Sequence, residues 1–126
     1  MTLPPTSPLR KAETIKKAVE IVAASPEAQD CLLTVHENRG DFWRGSLEGN
    51  FRRLFPDAPR RQQDRVPLWE ENSALYLTKV QALKETNSIL GKTVRGLLID
   101  PSEGLDINTD LDFLIAETIL QRMEDN

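Results

Sequence analysis

The chain carries two groups of opposite charge that suit a site handling both an anion and a cation. Residues 100–126 hold eight carboxylates against one arginine, Arg122, whereas arginines cluster in the middle of the chain. A guanidinium matches the planar geometry of a carboxylate, and carboxylates attract hard cations. On charge alone, however, the preferred interpretation is that these residues belong to an ordinary solvated surface. The clustered arginines are Arg52, Arg53, Arg60, Arg61 and Arg65.

The segment at residues 105–108, Leu-Asp-Ile-Asn, alternates apolar and polar residues. This alternation predicts that Asp106 and Asn108 lie on the same side of an extended segment. Thr109 is the predicted N-cap of a last helix, with Asp112 as its partner in a variant capping box. Asp110 and Asp112 are therefore interpreted as capping and helix-dipole residues. Without further information, Asp106 is a turn residue before a helix.

Several familiar kinds of chemistry are excluded. The six glycines are scattered, so no glycine-rich phosphate loop precedes a helix. Gly91-Lys92-Thr93 resembles the end of a Walker A loop, but that motif needs glycine where Thr86 stands. His36 is the only histidine, which excludes a histidine-based metal cluster. Cys31 and His36 would point to opposite faces of one strand, so we interpret both as structural.

Length and composition predict a single domain in a reducing compartment. The chain has 126 residues, one cysteine and a net charge of -4. The acidic balance argues against general nucleic-acid binding, and no stretch is long enough to span a membrane. The N-terminus lacks the apolar region of a secretory signal. These observations predict a cytoplasmic protein that binds neither nucleic acid nor membrane.

Helical and strand-like segments alternate, which predicts the α/β class. Apolar residues at helical spacing predict a helix over 12–24 that buries Ile15, Ala18, Val19 and Val22. The inner face of the last helix is expected to consist of Leu111, Leu114, Ile115, Thr118 and Ile119. A turn-like sequence at 48–50 could close a hairpin. The remaining predicted elements are strands at 31–36, 72–78 and 93–99 and a short helix at 80–85.

Three segments in register resemble the acylneuraminate cytidylyltransferases. Residues 5–10, PTSPLR, are similar to that family's QPTSPLR. Residues 63–76, QDRVPLWEENSALY, resemble its RQDxP…YxENGAIY. Residues 105–117, LDINTDLDFLIAE, resemble its SIDIDTELDFxIAE. The resemblance covers nearly the whole chain and corresponds to the C-terminal part of the family.

The resemblance implies transfer of CMP from CTP to a nine-carbon sugar acid, with release of pyrophosphate. It also implies the C-terminal portion of a Rossmann-like α/β/α nucleotidyltransferase fold that lacks the N-terminal β-α units. The family commonly works as a dimer, in which an extended segment reaches the partner's sugar site. Residues 38–70 occupy the place of that segment within one partial domain, 1–126.

The resemblance also assigns residues. The family's first metal-binding aspartate corresponds to Asp106, which implies a Mg²⁺ cofactor, and the second corresponds to Asn108, an amide that brings no charge. No residue is assigned a catalytic role. The expected substrate-binding residues are Ser7, Arg10, Arg61, Gln63, Arg65 and Tyr76.

Three departures weaken the assignment. Pro4 replaces the family's sugar-binding glutamine, Gln62 replaces its sugar-binding arginine, and Asn108 replaces an aspartate. Arg61 or Arg65 is expected to substitute for the arginine. Ser7 and Arg10 are also expected to shape a turn and anchor the following helix, and Tyr76 is equally well interpreted as a packing residue.

The family's CTP-binding loop, ARGGSKGIPxKN, has no counterpart in these 126 residues. We therefore expect the chain to be inactive alone and to associate either with itself or with a complementary N-terminal chain. The alternative is a non-catalytic remnant that serves as a dimerisation or binding module. A third hypothesis, an unrelated acidic binding domain, leaves the three matching segments as coincidence.

Overall fold

The structure, a computed structural model, describes residues 1–126. The chain divides into two compact units, which are described separately: Met1–His36 with Glu71–Asn126, and Glu37–Glu70. The elements in chain order are α1 (Ala12–Ala24), β1 (Cys31–Asn38), β2 (Trp43–Gly45), β3 (Phe51–Arg53), a 3-10 turn (Gln62–Asp64), β4 (Leu68–Thr78), α2 (Val80–Thr86), β5 (Val94–Leu98) and α3 (Asp110–Glu124).

The first unit is built on a mixed three-stranded sheet in the order β4-β1-β5. Strands β1 and β5 are parallel, with Cys31 opposite Val94. Strand β4 runs antiparallel to β1. The Leu75 amide donates to Thr34 Oγ1, and the Lys79 amide donates to the Asp30 carbonyl, so positions later in the chain on the β4 side are bonded to positions earlier in the chain on the β1 side. The predicted α/β class is confirmed.

The two faces of the sheet carry different apolar clusters, because alternate residues of a strand point to opposite sides. On one face, Ala18 of α1 packs with Leu32, Leu75 and Leu97, which are all buried. On the other face, Cys31 packs with Leu33 and Tyr76. His36 bonds to Asn72, which also contacts Thr34, so Cys31 and His36 do point apart as predicted.

The helix over 12–24 has the predicted boundaries and, except for Val19, the predicted buried stripe. Thr14 and Ala18 are buried, and Ile15, Ile21 and Val22 pack against the core. Val19, predicted to be buried, is 45% exposed. Residues on one face of an α-helix recur every three or four positions, and the face that contains Thr14, Ala18 and Ile21 packs against the sheet. Val19 lies beside that face.

The last helix begins as predicted but buries a different face. Thr109 Oγ1 accepts a hydrogen bond from the Asp112 amide, and the Asp112 carboxylate accepts one from the Thr109 amide. Most of the expected inner face is wrong: Leu111, Leu114 and Ile115 are 64%, 56% and 40% exposed and Thr118 is exposed, whereas Ile119 is half-buried. The buried residue of α3 is Ala116.

This error has a physical cause. The side of α3 around Ala116 includes Phe113 and Leu120, which line a groove with Pro8 and Ile107 but are themselves 58% and 40% exposed. The helix is therefore apolar on more than one side. Helical periodicity detects an apolar stripe but does not decide which of two stripes meets the rest of the chain.

Strand β4 contains a conformational irregularity at Ser73, whose φ is +62°. The Asn72 side chain accepts a hydrogen bond from the Ala74 amide across this residue. The irregularity brings together on one face residues that regular alternation would place on opposite faces. The Tyr76 hydroxyl donates to Glu71, five residues earlier, and contacts Ser73 Oγ, three residues earlier, at 3.0 Å. The left-handed region favours glycine, which is the residue of the resembling family motif at this position.

We expect Ser73→Gly to have a free energy of unfolding about 1 kcal/mol higher than that of Ser73→Ala. Both substitutions remove the hydroxyl near Tyr76, but only alanine keeps a Cβ in the left-handed conformation. Urea unfolding followed by circular dichroism would measure the difference. Equal stability of the two variants would show that Ser73 is not under backbone strain.

No helix of the structure combines the length and the apolar character that crossing a bilayer requires.

Candidate functional site

The three motif segments, distant in sequence, meet in the first unit. The Thr6 carbonyl accepts a hydrogen bond of 2.9 Å from the Ile107 amide, which joins the first segment to the third. The Arg10 guanidinium donates to the Ala74 carbonyl at 2.8 Å, which joins the first segment to the second. The junction of these segments is the candidate site, and we call it the motif junction.

The loop at 99–109 brings Asp106 to the motif junction and is anchored at several points. The Ile99 amide donates to the Val35 carbonyl at 2.9 Å. Glu103 is buried, and its carboxylate accepts hydrogen bonds from the Lys11 amide and the Thr14 hydroxyl. These donors lie at the N-terminus of α1, where the helix dipole stabilises a negative charge. The loop is thereby held against α1 and the sheet.

Asn72 supports the same loop from the sheet. Its Oδ1 accepts from the Thr34 hydroxyl at 2.7 Å, and its Nδ2 contacts His36 Nδ1 at 3.3 Å. Because Oδ1 already accepts hydrogen bonds, Nδ2 is the donor and His36 Nδ1 the acceptor. The loop passes close to this amide at Gly104, where an added Cβ would lie 2.4 Å from Asn72 Nδ2.

Asp106 and Asn108 lie together, although residues 105–108 form no strand. Asn108 Nδ2 donates to Asp106 Oδ2 at 3.0 Å. Asp106 Oδ1 is buried and has no hydrogen-bond partner. The carboxylate is thus oriented through one oxygen and leaves the other unsatisfied, which suits a positively charged or hydrogen-bond-donating guest.

Asp112 contacts this pair through the Asn108 backbone amide, which donates to the Asp112 carboxylate at 3.1 Å. Its Oδ2 accepts from the Thr109 amide at 2.9 Å and from the Thr109 hydroxyl at 2.8 Å. The hydrogen bond from the Thr109 hydroxyl, followed by those from the Asn108 and Thr109 amides, holds the pKa of Asp112 below its usual range. The structural interpretation of Asp112 as a capping residue is confirmed.

The side chains of two of the expected substrate-binding residues make hydrogen bonds within the folded chain. The Arg10 guanidinium donates to the carbonyls of Pro4 and Ala74, so it clamps two segments together. Tyr76 is buried against Cys31, and its hydroxyl donates to Glu71. Burial, reinforced by that carboxylate, raises the pKa of Tyr76. Burial likewise raises the pKa of the Cys31 thiol, which is consistent with its structural interpretation.

Ser7 is also part of the motif junction. It is 3% exposed, and its hydroxyl has no hydrogen-bond partner. The Ser7 amide donates to the Pro4 carbonyl at 3.4 Å, as expected of a residue that shapes a turn. Substrate binding by Ser7, Arg10 and Tyr76 stays a prediction.

The second unit, Glu37–Glu70, contains the antiparallel hairpin of β2 and β3. This confirms the hairpin expected around residues 48–50. The unit is organised by Asp41, whose carboxylate receives two hydrogen bonds from Arg53, at 2.9 and 3.0 Å, and one from Arg60 at 3.2 Å. The hydrogen bonds from Arg53 hold the pKa of Asp41 below its usual range.

The remaining predicted residues lie in this second unit and differ in availability. The Arg65 guanidinium donates through its terminal nitrogens to the carbonyls of Arg39 and Arg60, at 2.8 and 2.9 Å, whereas its buried Nε has no hydrogen-bond partner. The Arg61 side chain is 74% exposed, with Asp64 3.9 Å away. The Gln63 side chain is exposed too. Arg61 is therefore the more available candidate for a carboxylate ligand.

Asp41 makes the second unit sensitive to acid. Because the pKa of Asp41 is lower in the folded protein, its stabilising contribution is fully present above the ordinary carboxyl pKa near 3.9 and is lost as the pH falls through the folded value. Both tryptophans, Trp43 and Trp69, belong to this unit. Their fluorescence should report its acid transition below about pH 4. The second unit should be less stable at pH 7 in Asp41→Asn than in the wild type. Equal stability of this unit in the two proteins at pH 7 would contradict the prediction.

Sequence reasoning missed Asn72, Glu103 and Gly104. Asn72 lies within the second motif segment, and a polar residue between strand-forming residues was the available signal. Glu103 carried none, because its partners Lys11 and Thr14 are about ninety residues away in sequence. No three histidine, cysteine, aspartate or glutamate side chains group closely enough to hold a metal ion.

No protein-family model matches the chain. A CMP-N,N'-diacetyllegionaminic acid synthase of Legionella pneumophila is 28% identical over 125 residues, which cover 96% of this chain and 53% of the relative. The protein of the same name from Campylobacter jejuni is 28% identical over 100 residues, covering 79% and 39%. Post-translational flagellin modification protein B of Campylobacter coli is 24% identical over 125 residues, covering 92% and 50%.

The chain therefore spans about half the length of the curated relatives it matches. Two of these relatives carry the name of a synthase that makes a CMP-linked sugar acid. The resemblance predicted from the three motif segments is confirmed.

Proposed function

We propose, from its relationship to the C-terminal portion of CMP-sialic-acid-synthetase-like proteins, that this chain supplies the metal and sugar-acid side of a cytidylyl transfer. The reaction would move CMP from CTP to a nine-carbon sugar acid of the legionaminic type and release pyrophosphate. The observation that carries the proposal is the motif junction, where hydrogen bonds join three segments that resemble the family, and one of these segments carries Asp106, a carboxylate with one unsatisfied oxygen.

The residues at the motif junction fit a magnesium ion of the kind that binds through few protein ligands. Mg²⁺ commonly uses one or two carboxylates together with water and substrate phosphates. Asp106 would hold it through Oδ1, while Asn108 keeps the carboxylate oriented by its bond to Oδ2. When bound, the ion would offset the charge that builds on the triphosphate. The neutral Asn108 adds no charge, so we expect modest affinity.

The second unit supports the sugar and partner side of the proposal. Arg61 offers an exposed guanidinium for the carboxylate of a sugar acid. A largely apolar cavity of about 430 Å³, lined by residues that include Phe55, Val66 and Leu68, suits an apolar side chain from another subunit better than a polyhydroxylated sugar. We propose that residues 38–70 are a dimerisation segment.

The exposed apolar surface of the first unit supports a further association. Strand β5 is at the edge of the sheet, and its Val94 and Leu98 are 49% and 56% exposed. Leu111 and Leu114 of α3 are exposed as well. Edge strands and apolar faces of this kind favour pairing with additional structure. We propose that they receive the N-terminal β-α units of a Rossmann-like α/β/α nucleotidyltransferase fold.

A second candidate function is a non-catalytic dimerisation or binding module. It is favoured by Asn108 standing where the resembling motif has a second aspartate, together with the replacement of two sugar-binding residues by Pro4 and Gln62. The exposed apolar residues are consistent with this candidate also. The two functions differ in whether pyrophosphate is released.

The test uses this chain alone and mixed with the N-terminal half of the Legionella pneumophila relative. Pyrophosphate release is measured with CTP, N,N'-diacetyllegionaminic acid and Mg²⁺, and the size of each sample is measured by analytical ultracentrifugation. We expect no release from the chain alone, release from the mixture, and none from a mixture containing Asp106→Asn. Inactive Arg61→Lys would support bidentate recognition of the carboxylate.

Association without pyrophosphate release would favour the binding module. Release by the chain alone would contradict the need for a CTP-binding half. A well-folded monomer that neither associates nor reacts would contradict both functions.

A further inference from the structure

Two buried oxygens at the motif junction lack partners. Ser7 Oγ and Asp106 Oδ1 are shielded from solvent without any hydrogen bond. Ser7 directly follows Thr6 and Asp106 directly precedes Ile107, and the Thr6 carbonyl and the Ile107 amide are hydrogen-bonded at 2.9 Å. The residues that carry the two unsatisfied oxygens are therefore each next to one end of the same backbone hydrogen bond.

We expect a bound ligand to complete these contacts, because buried polar groups in folded proteins nearly always have a hydrogen-bond partner. Asp106 Oδ1 is an acceptor, and its sister oxygen is already engaged by Asn108. A serine hydroxyl both accepts and donates. A hydrated divalent cation would satisfy both: the carboxylate oxygen would bind the ion, and a water on the ion would donate to the hydroxyl.

We propose that Ser7 is a positioning residue for a divalent cation held by Asp106, acting through a water molecule of the ion's hydration shell. This inference rests on the metal role given to Asp106 above and adds Ser7 to it. Mg²⁺ usually keeps several of its waters in proteins, so a neutral hydroxyl beside the ligand has a water to hold. Groups that orient ligands in this way typically change metal affinity by roughly 10–100-fold when removed.

The test compares Ser7→Ala with the wild type by calorimetric titration of Mg²⁺ and by thermal unfolding in EDTA and in Mg²⁺. We expect the affinity for Mg²⁺ to fall roughly 10–100-fold. We also expect Ser7→Ala to be at least as stable as the wild type in EDTA, because an unpartnered hydroxyl contributes no hydrogen bond. The stabilisation by Mg²⁺ should shrink accordingly.

Matched variants make the comparison specific. Ser102→Ala also removes a serine hydroxyl next to a carboxylate, but Ser102 is exposed and bonds to Asp100, so Mg²⁺ affinity should not change. Asp106→Asn should bind no Mg²⁺ measurably.

Three results would overturn the inference: a wild-type chain that binds no Mg²⁺, unchanged affinity in Ser7→Ala, or a Ser7→Ala protein that is destabilised or unfolded in EDTA. The last result would identify Ser7 as a turn-shaping residue only. Binding of Mg²⁺ is measured without CTP or sugar, so it can succeed where pyrophosphate release fails, and the failure of one proposal can be distinguished from the failure of the other.

Discussion

Leu32→Ala is expected to lower the free energy of unfolding of the first unit by about 2–5 kcal/mol. Leu32 lies in the central strand β1 and is fully buried among Ala18, Leu75 and Leu97. Alanine would leave a cavity that α1 and the sheet fill only in part. The helices α1, α2 and α3 all belong to this unit, so urea unfolding followed by circular dichroism at 222 nm measures its stability.

A matched control uses a leucine outside any core. Leu47 is 96% exposed, and Leu47→Ala should change stability by less than about 0.5 kcal/mol. If the two substitutions had similar effects, the cluster on the α1 side of the sheet would not be the core of this unit.

Gly104→Ala is expected to destabilise the first unit by about 1–3 kcal/mol and to weaken the binding of Mg²⁺ proposed for the motif junction. The new Cβ would meet Asn72 Nδ2 at 2.4 Å and Asn72 Cγ at 2.8 Å. Asn72 cannot move freely, because it is buried and bonded to Thr34 and to His36. The clash would strain the loop that carries Asp106, so both the stability of the unit and the proposed binding of Mg²⁺ are expected to decrease.

A double-mutant cycle with Asn72→Ala isolates this contact. The effect of Gly104→Ala should be smaller in the Asn72→Ala background, because the clashing amide is gone. Gly49→Ala is the matched control, since its nearest neighbour would be Ser46 Cβ at 3.9 Å. Additive effects of the two substitutions would contradict the proposed clash.

Local structure was largely predictable, because its causes lie within a few residues. The helix at Ala12–Ala24 and the capping box of Thr109 and Asp112 follow from spacing and cap chemistry. Strand β4 begins at Leu68, four residues before the predicted start at 72, since an acidic run at Glu70 and Glu71 does not look like a strand. Strand pairing there overrides the weak intrinsic preference of glutamate.

The candidate site was predictable only in its list of residue types. Arg65 and Arg61 are equivalent as sequence, yet the structure engages one guanidinium with two carbonyls and leaves the other exposed. Arg10 resembles a ligand in its motif and acts as a clamp between segments. Which side chain is free for a ligand depends on distant carbonyls, and periodicity carries no information about them.

By itself, the amino-acid sequence determined the α/β class, most element boundaries, the cap of the last helix and the kinship revealed by three short segments. Those features depend on hydrophobic periodicity, capping and motif order, which act over short distances along the chain. Only the tertiary structure decided that Thr6 meets Ile107, that Glu103 anchors the start of α1, and that Ser7 and Asp106 both keep an unsatisfied oxygen. The reason is that these contacts join residues up to about a hundred positions apart, and their geometry exists only once the sheet and helices have packed.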